Sequence, residues 1–235
     1  KEVNYEPDWS FLNDKVVVDA GAASGRFARL VAPHCKMLIL FDIGNHLYKA
    51  QEDLKHLDNV HFVKCNLVKP PLRNNSVDFI YSIGVLHHTP DPRLAFKNLT
   101  LGLKNKGRFS LWVYPPSYWS NPIKAAVSKC TRSILLKFPF RMQQKFIKKI
   151  LLPIGRFQML LSRYRILKLL FAPLFLLNIP RHENKHEMLA TIIDYYTPQF
   201  IFTYTDKDLG NWFLGENLSY QLLPFPTAAS GIKQS

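Results

Sequence analysis

The sequence predicts an α/β fold in which a mostly parallel sheet is covered by helices on both faces and interrupted by one helical insertion. Two observations predict it. Short β-branched and apolar segments alternate with helix-like segments up to residue 114, an order typical of βαβ units. The alternation then stops, and it resumes near Thr205. A chain of 235 residues is long enough for one core with an added subdomain.

Five strands are predicted before the insertion. The first is a β-branched run, KVVVDA, that ends in Asp and Gly, as buried parallel strands often do. The others have similar apolar runs and similar spacing. The five predicted strands cover residues 15–20, 37–42, 60–65, 77–82 and 108–114.

Helices are predicted between these strands, at residues 25–31, 47–57 and 91–103, with a Lys-Asn-Lys-Gly turn before the fifth strand. Asp91 followed by Pro92 is a typical helix start. Thr205 is a plausible N-cap for a further helix over residues 206–213. The segments LSYQLLPF and AASGIKQ fit a closing hairpin, so the sheet is expected to have seven strands.

The insertion divides the chain into three parts: residues 1–114, a helical insertion at 115–190, and residues 191–235, which complete the first part. Between residues 115 and 190 there are fourteen Lys and Arg but only two acids, Glu183 and Glu187. The whole chain carries a formal charge of +14, so nearly all of the excess lies in this segment. A local basic surface indicates an anionic partner for the insertion.

The turn from Asp19 to Gly25 is the first candidate site. A strand that ends in Asp-x-Gly and turns directly into a helix presents backbone N–H groups to a ligand. Gly21 permits the tight turn, and Gly25 lets the helix approach the strand. A dinucleotide fingerprint needs glycine at positions 21, 23 and 26, where the chain has Gly21, Ala23 and Arg26. The dinucleotide interpretation is therefore poor.

The run VVVDAGAASGRFARL resembles motif I of class I S-adenosylmethionine-dependent methyltransferases. Asp19, Gly21 and Gly25 match that motif, while Ala23 replaces its middle glycine. The stretch from Asn74 to Tyr114 is similar to the family's fourth and fifth strands and their joining helix. The resemblance implies a Rossmann-like fold and methyl transfer from S-adenosyl-L-methionine, with S-adenosyl-L-homocysteine as product.

Further cofactor contacts are expected at the following strand ends. Asp42 can accept hydrogen bonds from both ribose hydroxyls. Asn66 stands where the family usually has Asp beside the adenine, and its amide oxygen can accept from the adenine amino group. The complete set of predicted cofactor-binding residues is Asp19, Ala20, Gly21, Ala23, Gly25, Asp42, Ile43, Asn66, Leu67 and Ser82.

His87 and His88 follow the fourth strand, at the edge where the methyl group is expected. In some small-molecule O-methyltransferases of similar pattern, a histidine in this loop is the general base. Imidazole has a pKa suited to accept the proton of a hydroxyl near neutral pH. The alternative is that one or both histidines only shape the loop. A structural role as a helix cap is preferred for Asp91.

The insertion is expected to act as a lid. Arg163, Arg165 and Lys168 argue against a membrane span in its apolar stretch. The bases then either face solvent or contact an anionic membrane surface or an acidic carrier protein. His182 and His186 have zinc-helix spacing, but without a clear third ligand they are interpreted as solvated residues, and no metal is expected.

Three functions remain open from the sequence. The first is methyl transfer to a small or lipid-like acceptor, at oxygen with a histidine base. The second is RNA methylation, suggested by the basic insertion, although nucleic acid is not the preferred partner. The third is a non-catalytic methyltransferase-fold binding module. The expected location is cytoplasmic, with peripheral membrane contact left open; no signal peptide is recognised, and a trimmed N-terminus is also left open.

Overall fold

The computed structural model describes residues 9–119, 121–180 and 182–235. They form two compact units. The first combines the chain up to Pro115 with Phe202–Ser235, and the second is Pro116–Ile201. We call them the sheet unit and the helical unit.

The sheet unit is built on a seven-stranded, mostly parallel sheet, and this confirms the predicted fold class. The strand order is β3-β2-β1-β4-β5-β7-β6. β7 runs antiparallel to both of its neighbours. The strands are β1 (Val16–Ala20), β2 (Met37–Asp42), β3 (Val60–Lys64), β4 (Val77–Ile83), β5 (Leu103–Trp112), β6 (Leu218–Leu222) and β7 (Ala228–Lys233).

β1 lies at the centre of the sheet, paired in parallel with β2 on one side and β4 on the other. The chain leaves β1 in one direction to build β2 and β3 and returns to build β4 and β5. Such a reversal of strand order opens a crevice at the carboxyl ends of the strands, where α/β proteins bind ligands. The predicted cofactor turn begins there.

The described residues form nine α-helices. They are α1 (Ala28–Val31), α2 (His46–Leu54), α3 (Pro92–Leu101), α4 (Pro122–Leu135), α5 (Phe140–Phe146), α6 (Leu152–Ser162), α7 (Arg165–Leu170), α8 (Lys185–Tyr196) and α9 (Asp206–Gly215).

Helices of the sheet unit cover both faces of the sheet. On one face, Leu54 of α2 belongs to the same buried cluster as Leu40 of β2. On the other face, the ring of Phe96 in α3 lies 4.8 Å from that of Phe109 in β5 and 5.0 Å from that of Phe213 in α9. Both layers are dry apolar contacts, so the sheet is held from two sides.

Two predicted helix starts, at Asp91 and Thr205, are confirmed by their caps, whereas the first helix begins at Ala28 and not at Gly25. The side chain of Asp91 accepts a 2.9 Å hydrogen bond from the backbone N–H of Leu94, and Pro92 occupies the first helical turn. Thr205 and Asp208 form a reciprocal capping box at the start of α9. Asp91 therefore has the structural role that its position predicted.

β5 differs from its prediction because it begins at Leu103. Leu103 pairs with Val77, and Arg108 pairs with Phe79, so five steps along β5 match two steps along β4. The extra residues include Lys106, whose φ is 63°. The Lys-Asn-Lys-Gly segment is therefore a bulge within the strand and not a turn before it.

The helical unit contains α4 to α8, and its described residues include no strand. A π-helical turn at Ile147–Leu151 joins α5 and α6 into one continuous helix. Ile147 and Ile192 belong to the core of this unit. The guanidinium of Arg132 donates to the carbonyl oxygens of Tyr195 and Pro198, at 2.9 and 2.6 Å.

The boundary expected at residue 191 falls inside α8, which belongs entirely to the helical unit. The sheet unit resumes at Phe202. Within the described part of the chain, no helix is long and apolar enough to cross a membrane.

Candidate active site

The turn after β1 is fastened to the end of β2. The N–H groups of Gly21 and Ala22 donate to the carbonyl oxygen of Phe41, at 2.8 and 3.0 Å. The N–H of Ala23 donates to Oδ2 of Asp42 at 2.8 Å. The N–H of Gly44 donates to the other carboxylate oxygen at 2.6 Å. Asp42 thus holds two loops at once, and each of its oxygens keeps a lone pair for a ligand.

Two glycines of the turn are required by its backbone. Gly21 has φ 105°, and a Cβ there would lie 2.4 Å from Cγ1 of Val85, in the loop after β4. Gly25 has φ 77°, and its Cβ would lie 2.8 Å from Cδ1 of Leu54. Positive φ and close approach both exclude larger residues. The loops after β1 and β4 are therefore packed against each other through Gly21.

Ala23 stands in the left-handed region, with φ 48°. An L-residue with a Cβ pays a steric cost of roughly 1–2 kcal/mol in this conformation, whereas glycine does not. The structure thereby explains why glycine is usual at this position of the motif. Ala23 keeps the turn at the expense of local strain.

Asp19 is almost completely enclosed at the end of β1. Its Oδ2 accepts a 2.9 Å hydrogen bond from the hydroxyl of Tyr81 in β4. Burial raises the pKa of Asp19 to about 7, the Tyr81 hydrogen bond opposes that rise, and the charge of Asp42 adds to it. Asp19 therefore titrates close to neutral pH, where a nearby positive charge would ionise it fully.

Two predicted residues lie in the core beneath the site. The hydroxyl of Ser82 donates to the carbonyl oxygen of Ala20 at 2.8 Å, and Ser82 is fully buried. Leu67 also belongs to the core. Ser82 thus ties β4 to β1 at the crevice. Direct cofactor contact by these residues stays a prediction.

Ile43 and Asn66 lie beside Asp42, after β2 and β3. The side chain of Ile43 is 67% exposed, and Asn66 is exposed, with Oδ1 accepting from the N–H of Val68 at 2.9 Å. An exposed apolar side chain next to a carboxylate suits the nucleoside of S-adenosylmethionine, which has a flat apolar base and polar edges. Contact of Asp42 with the ribose, of Ile43 and Asn66 with the adenine, and of Asp19 with the amino-acid end stays a prediction.

His87 is enclosed on all sides. It is fully buried, and neither ring nitrogen has a hydrogen-bond partner among the residues that the structure describes. Its ring centroid lies 3.8 Å from that of Tyr114 and 4.1 Å from that of His88. Burial lowers the pKa of His87 to about 2, with a smaller contribution from His88. His87 is therefore neutral and shielded from solvent in this conformation.

His88 is half-buried and closer to solvent than His87. Both lie in a short 3₁₀ turn, Leu86–His88. The side chain of His88 is less buried than that of His87 as a whole, although its Nε2 atom is also enclosed, and the two rings pack against each other. A catalytic role for either histidine is a prediction.

Sequence reasoning missed three neighbours of the site. Tyr81 is one, and it lies opposite Asp19 in the register of β1 and β4. Tyr114 covers His87. The N–H of Phe202 donates to the carbonyl oxygen of His87 at 3.0 Å. Alternation along β4 could have suggested that Tyr81 faces the same side of the sheet as Phe79, but only the register pairs it with Asp19.

The histidines of the helical unit do not form a metal site with their neighbours. Nε2 of His182 lies 2.7 Å from Oε2 of Glu187. Among the residues that the structure describes, no group of three His, Cys, Asp or Glu side chains is arranged to hold a metal ion.

Part of the chain is similar to known methyltransferases. Residues 18–111 match the family described as methyltransferase domain. A tRNA U34 carboxymethyltransferase from Aliarcobacter butzleri is 36% identical over 104 residues, which are 41% of this chain and 33% of the relative. The phosphoethanolamine N-methyltransferase 1 of Caenorhabditis elegans is 31% identical over 81 residues, 34% of this chain and 17% of that protein.

An S-adenosylmethionine-dependent methyltransferase from Mesorhizobium loti superposes with a TM-score of 0.43 at 24% identity, over 46% of this chain and 50% of that one. The chain spans a third or less of the length of the two sequence relatives. Residues 18–111, which match the family, include the turn, Asp42 and both histidines.

Proposed function

We propose that this chain transfers a methyl group to a small or lipid-like acceptor. Its residues 18–111 belong to the methyltransferase domain family and have the class I, Rossmann-like, S-adenosylmethionine-dependent form. One observation carries the cofactor-binding part of the proposal. The Asp42 carboxylate, the exposed Ile43 and the strained turn at Ala23 lie together at the carboxyl edge of the sheet. This group of residues is suited to bind a charged nucleoside, and the family match supports S-adenosylmethionine as that cofactor.

The residues would divide the work as follows. Asp42 would hold the ribose, and Asp19 would balance the positive charge of the cofactor's amino-acid end. When bound, S-adenosylmethionine supplies an electrophilic methyl group and leaves as a neutral thioether. His88 would accept the proton of an acceptor hydroxyl as its oxygen bonds to the methyl carbon. The packed rings of Tyr114 and His87 would exclude water from the inner side of His88.

A nitrogen acceptor is a variant of the same proposal. The name of the phosphoethanolamine N-methyltransferase relative supports it. An amine that is already deprotonated attacks without a base, so His88 would then position the acceptor instead of accepting its proton. Substitution of His88 separates the two cases, because it should lower turnover strongly only when the residue accepts the proton of an oxygen acceptor.

A second candidate is RNA methylation or a related transfer to RNA. It is supported by the similarity to the tRNA U34 carboxymethyltransferase of Aliarcobacter butzleri and by the basic helical unit. The large aliphatic side chains exposed on that unit, including Ile166 and Leu169 at 74% and 70%, favour an apolar partner instead. Binding to RNA would weaken steeply as salt increases.

The proposal is tested in two steps. Calorimetry with S-adenosylmethionine and the full chain should show binding to the wild type and at least about tenfold weaker binding to Asp42→Ala, because the carboxylate also holds the turn. Labelled methyl transfer is then followed into the lipid, aqueous-metabolite and RNA fractions of an extract. Label in the RNA fraction alone would favour the second candidate. Absence of cofactor binding would favour a non-catalytic binding module.

A further inference from the structure

The helical unit has a face with an unusual combination of charge and exposed apolar side chains. Along the continuous helix formed by α5, the π-helical turn and α6, three rows of residues run side by side at a spacing of four. The first row is basic, the second is apolar and exposed, and the third is buried. The rows are Arg141, Lys145 and Lys149; Met142, Phe146 and Ile150; and Gln143, Ile147 and Leu151.

The buried row attaches this helix to the unit, and the other two rows face away from it. Met142, Phe146 and Ile150 are 51%, 38% and 45% exposed. An amphipathic helix that is already packed on its own core needs no second apolar row. Its presence therefore calls for a further apolar environment outside the unit.

The apolar row continues into an open depression between α4 and α5. Ile134 and Phe138, which are 54% and 45% exposed, line it together with Met142 and Phe146, and its volume is about 450 Å³. Apolar side chains exposed next to one another around a depression are typical of contact with a partner or a membrane.

A second apolar surface lies on α7. Ile166, Leu169 and Leu170 are 74%, 70% and 70% exposed, and their spacing of three and four places them on one face of the helix. Nearby, the ring of Phe171 lies 5.7 Å from that of Phe157 in α6, which links the segment after α7 to the long helix.

The positive charge of the same region indicates which kind of partner binds there. From Asn121 to Pro180 there are twelve Lys and Arg and no Asp or Glu. Arg132 is buried and binds carbonyl oxygens within the unit, whereas Arg141, Lys145, Lys148 and Lys149 are exposed. A surface that is both cationic and aliphatic is complementary to anionic headgroups above an acyl layer.

We propose that the helical unit docks on an anionic lipid bilayer. The row Met142, Phe146 and Ile150 and the face of α7 enter the boundary between headgroups and acyl chains, and the exposed bases contact lipid phosphates. Nucleic acid offers charge but no apolar phase for aliphatic side chains. The proposal concerns the helical unit alone and does not depend on methyl transfer.

The test uses the full chain and vesicles of phosphatidylcholine with or without 30% phosphatidylglycerol, followed by sedimentation. The wild type should bind the anionic vesicles. The triple variant Arg141→Gln/Lys145→Gln/Lys149→Gln should weaken binding by at least about tenfold, since each base near an anionic surface strengthens binding about fivefold. The matched control is Lys36→Gln/Lys55→Gln/Lys97→Gln, three exposed lysines of the sheet unit, which should bind like the wild type.

The apolar contribution is tested separately. Leu169→Ser/Leu170→Ser should weaken vesicle binding, whereas Leu30→Ser/Leu214→Ser, at 57% and 63% exposed positions of the sheet unit, should not. Phe146→Trp provides a probe that leaves the face intact. Its emission should shift to the blue with anionic vesicles, and that of Phe11→Trp should remain unchanged.

Four results would overturn the proposal. The first is that the protein does not sediment with anionic vesicles, and the second is that the control variants lose as much vesicle binding as the test variants. The third is that soluble glycerol phosphate, at the same concentration as the headgroups, displaces the protein from the vesicles. The fourth is that excess tRNA displaces it and the emission of Phe146→Trp shows no blue shift. The third result would indicate a site for free phosphate, and the fourth a nucleic-acid surface. Each readout is independent of cofactor binding, so failure here leaves the proposed methyl transfer standing.

Discussion

The hydroxyl of Tyr81 donates a 2.9 Å hydrogen bond to the carboxylate of Asp19 across the boundary between β4 and β1. This contact lies at the carboxyl ends of the two central strands, within the crevice. It partly offsets the burial that raises the pKa of Asp19 to about 7. The hydroxyl of Tyr81 thus favours the ionised form of Asp19 against the larger effect of burial on its pKa.

Cofactor affinity should therefore depend on pH. Ionised Asp19 attracts the cofactor's ammonium and neutral Asp19 does not, so affinity should rise as pH increases through about 7. The gain between pH 6 and pH 8 should be about tenfold, which is the change in the ionised fraction. Calorimetry at several pH values measures it.

Tyr81→Phe should move the midpoint of that profile to higher pH, because it removes the hydrogen bond that favours the ionised carboxylate. Asp19→Asn should flatten the profile. Tyr220→Phe, on the edge strand β6, is the control and should leave it unchanged. An unshifted midpoint in Tyr81→Phe would show that the hydrogen bond does not control this titration.

Ala23→Gly should stabilise the protein by about 0.5–1 kcal/mol, because glycine removes the steric cost of φ 48° and loses only part of that gain to unfolded-state entropy. The free energy of unfolding from urea titration measures it. Ala126→Gly, at an exposed position in the middle of α4, should instead destabilise by about 1 kcal/mol. Effects of the same sign in both variants would contradict the assigned strain.

Gly21→Ala should destabilise the protein by about 1–3 kcal/mol and abolish measurable cofactor binding, because its Cβ would lie 2.4 Å from Val85. Adding Val85→Ala should restore part of the stability. Gly215→Ala is the control, since its Cβ meets only the flexible end of Arg93. If the double variant were no more stable than Gly21→Ala, contact with Val85 would not be the cause.

His88→Ala should lower turnover with an oxygen acceptor by roughly 100-fold or more while cofactor affinity stays unchanged. His87→Phe should keep most of the turnover, because burial already holds the His87 pKa near 2 and phenylalanine retains the ring contact with Tyr114. Methyl transfer and calorimetry are measured on the same preparations. The opposite ranking of the two variants would make His87 the base.

Much of the fold could be predicted from the sequence because its signals are local. β1, β2 and β4 are continuous apolar runs, and the caps at Asp91 and Thr205 are defined by side chains within three residues. The bulge in β5 could not be predicted, because it depends on pairing with β4. The limit of the helical unit was also missed, since α8 resembles any amphipathic helix until its packing partners are known.

The sequence by itself determined the turn from Asp19 to Gly25, Asp42 after the second strand and the histidine pair after the fourth, since each follows from residue types at strand ends. Only the tertiary structure decided that His87 is buried, because the ring of Tyr114, which lies just after β5, packs against it. It also decided that Asp19 meets Tyr81, as strand register is a long-range property. The tertiary structure likewise decided that the row Met142, Phe146 and Ile150 is exposed, because the core of the helical unit buries a different row of the same helix.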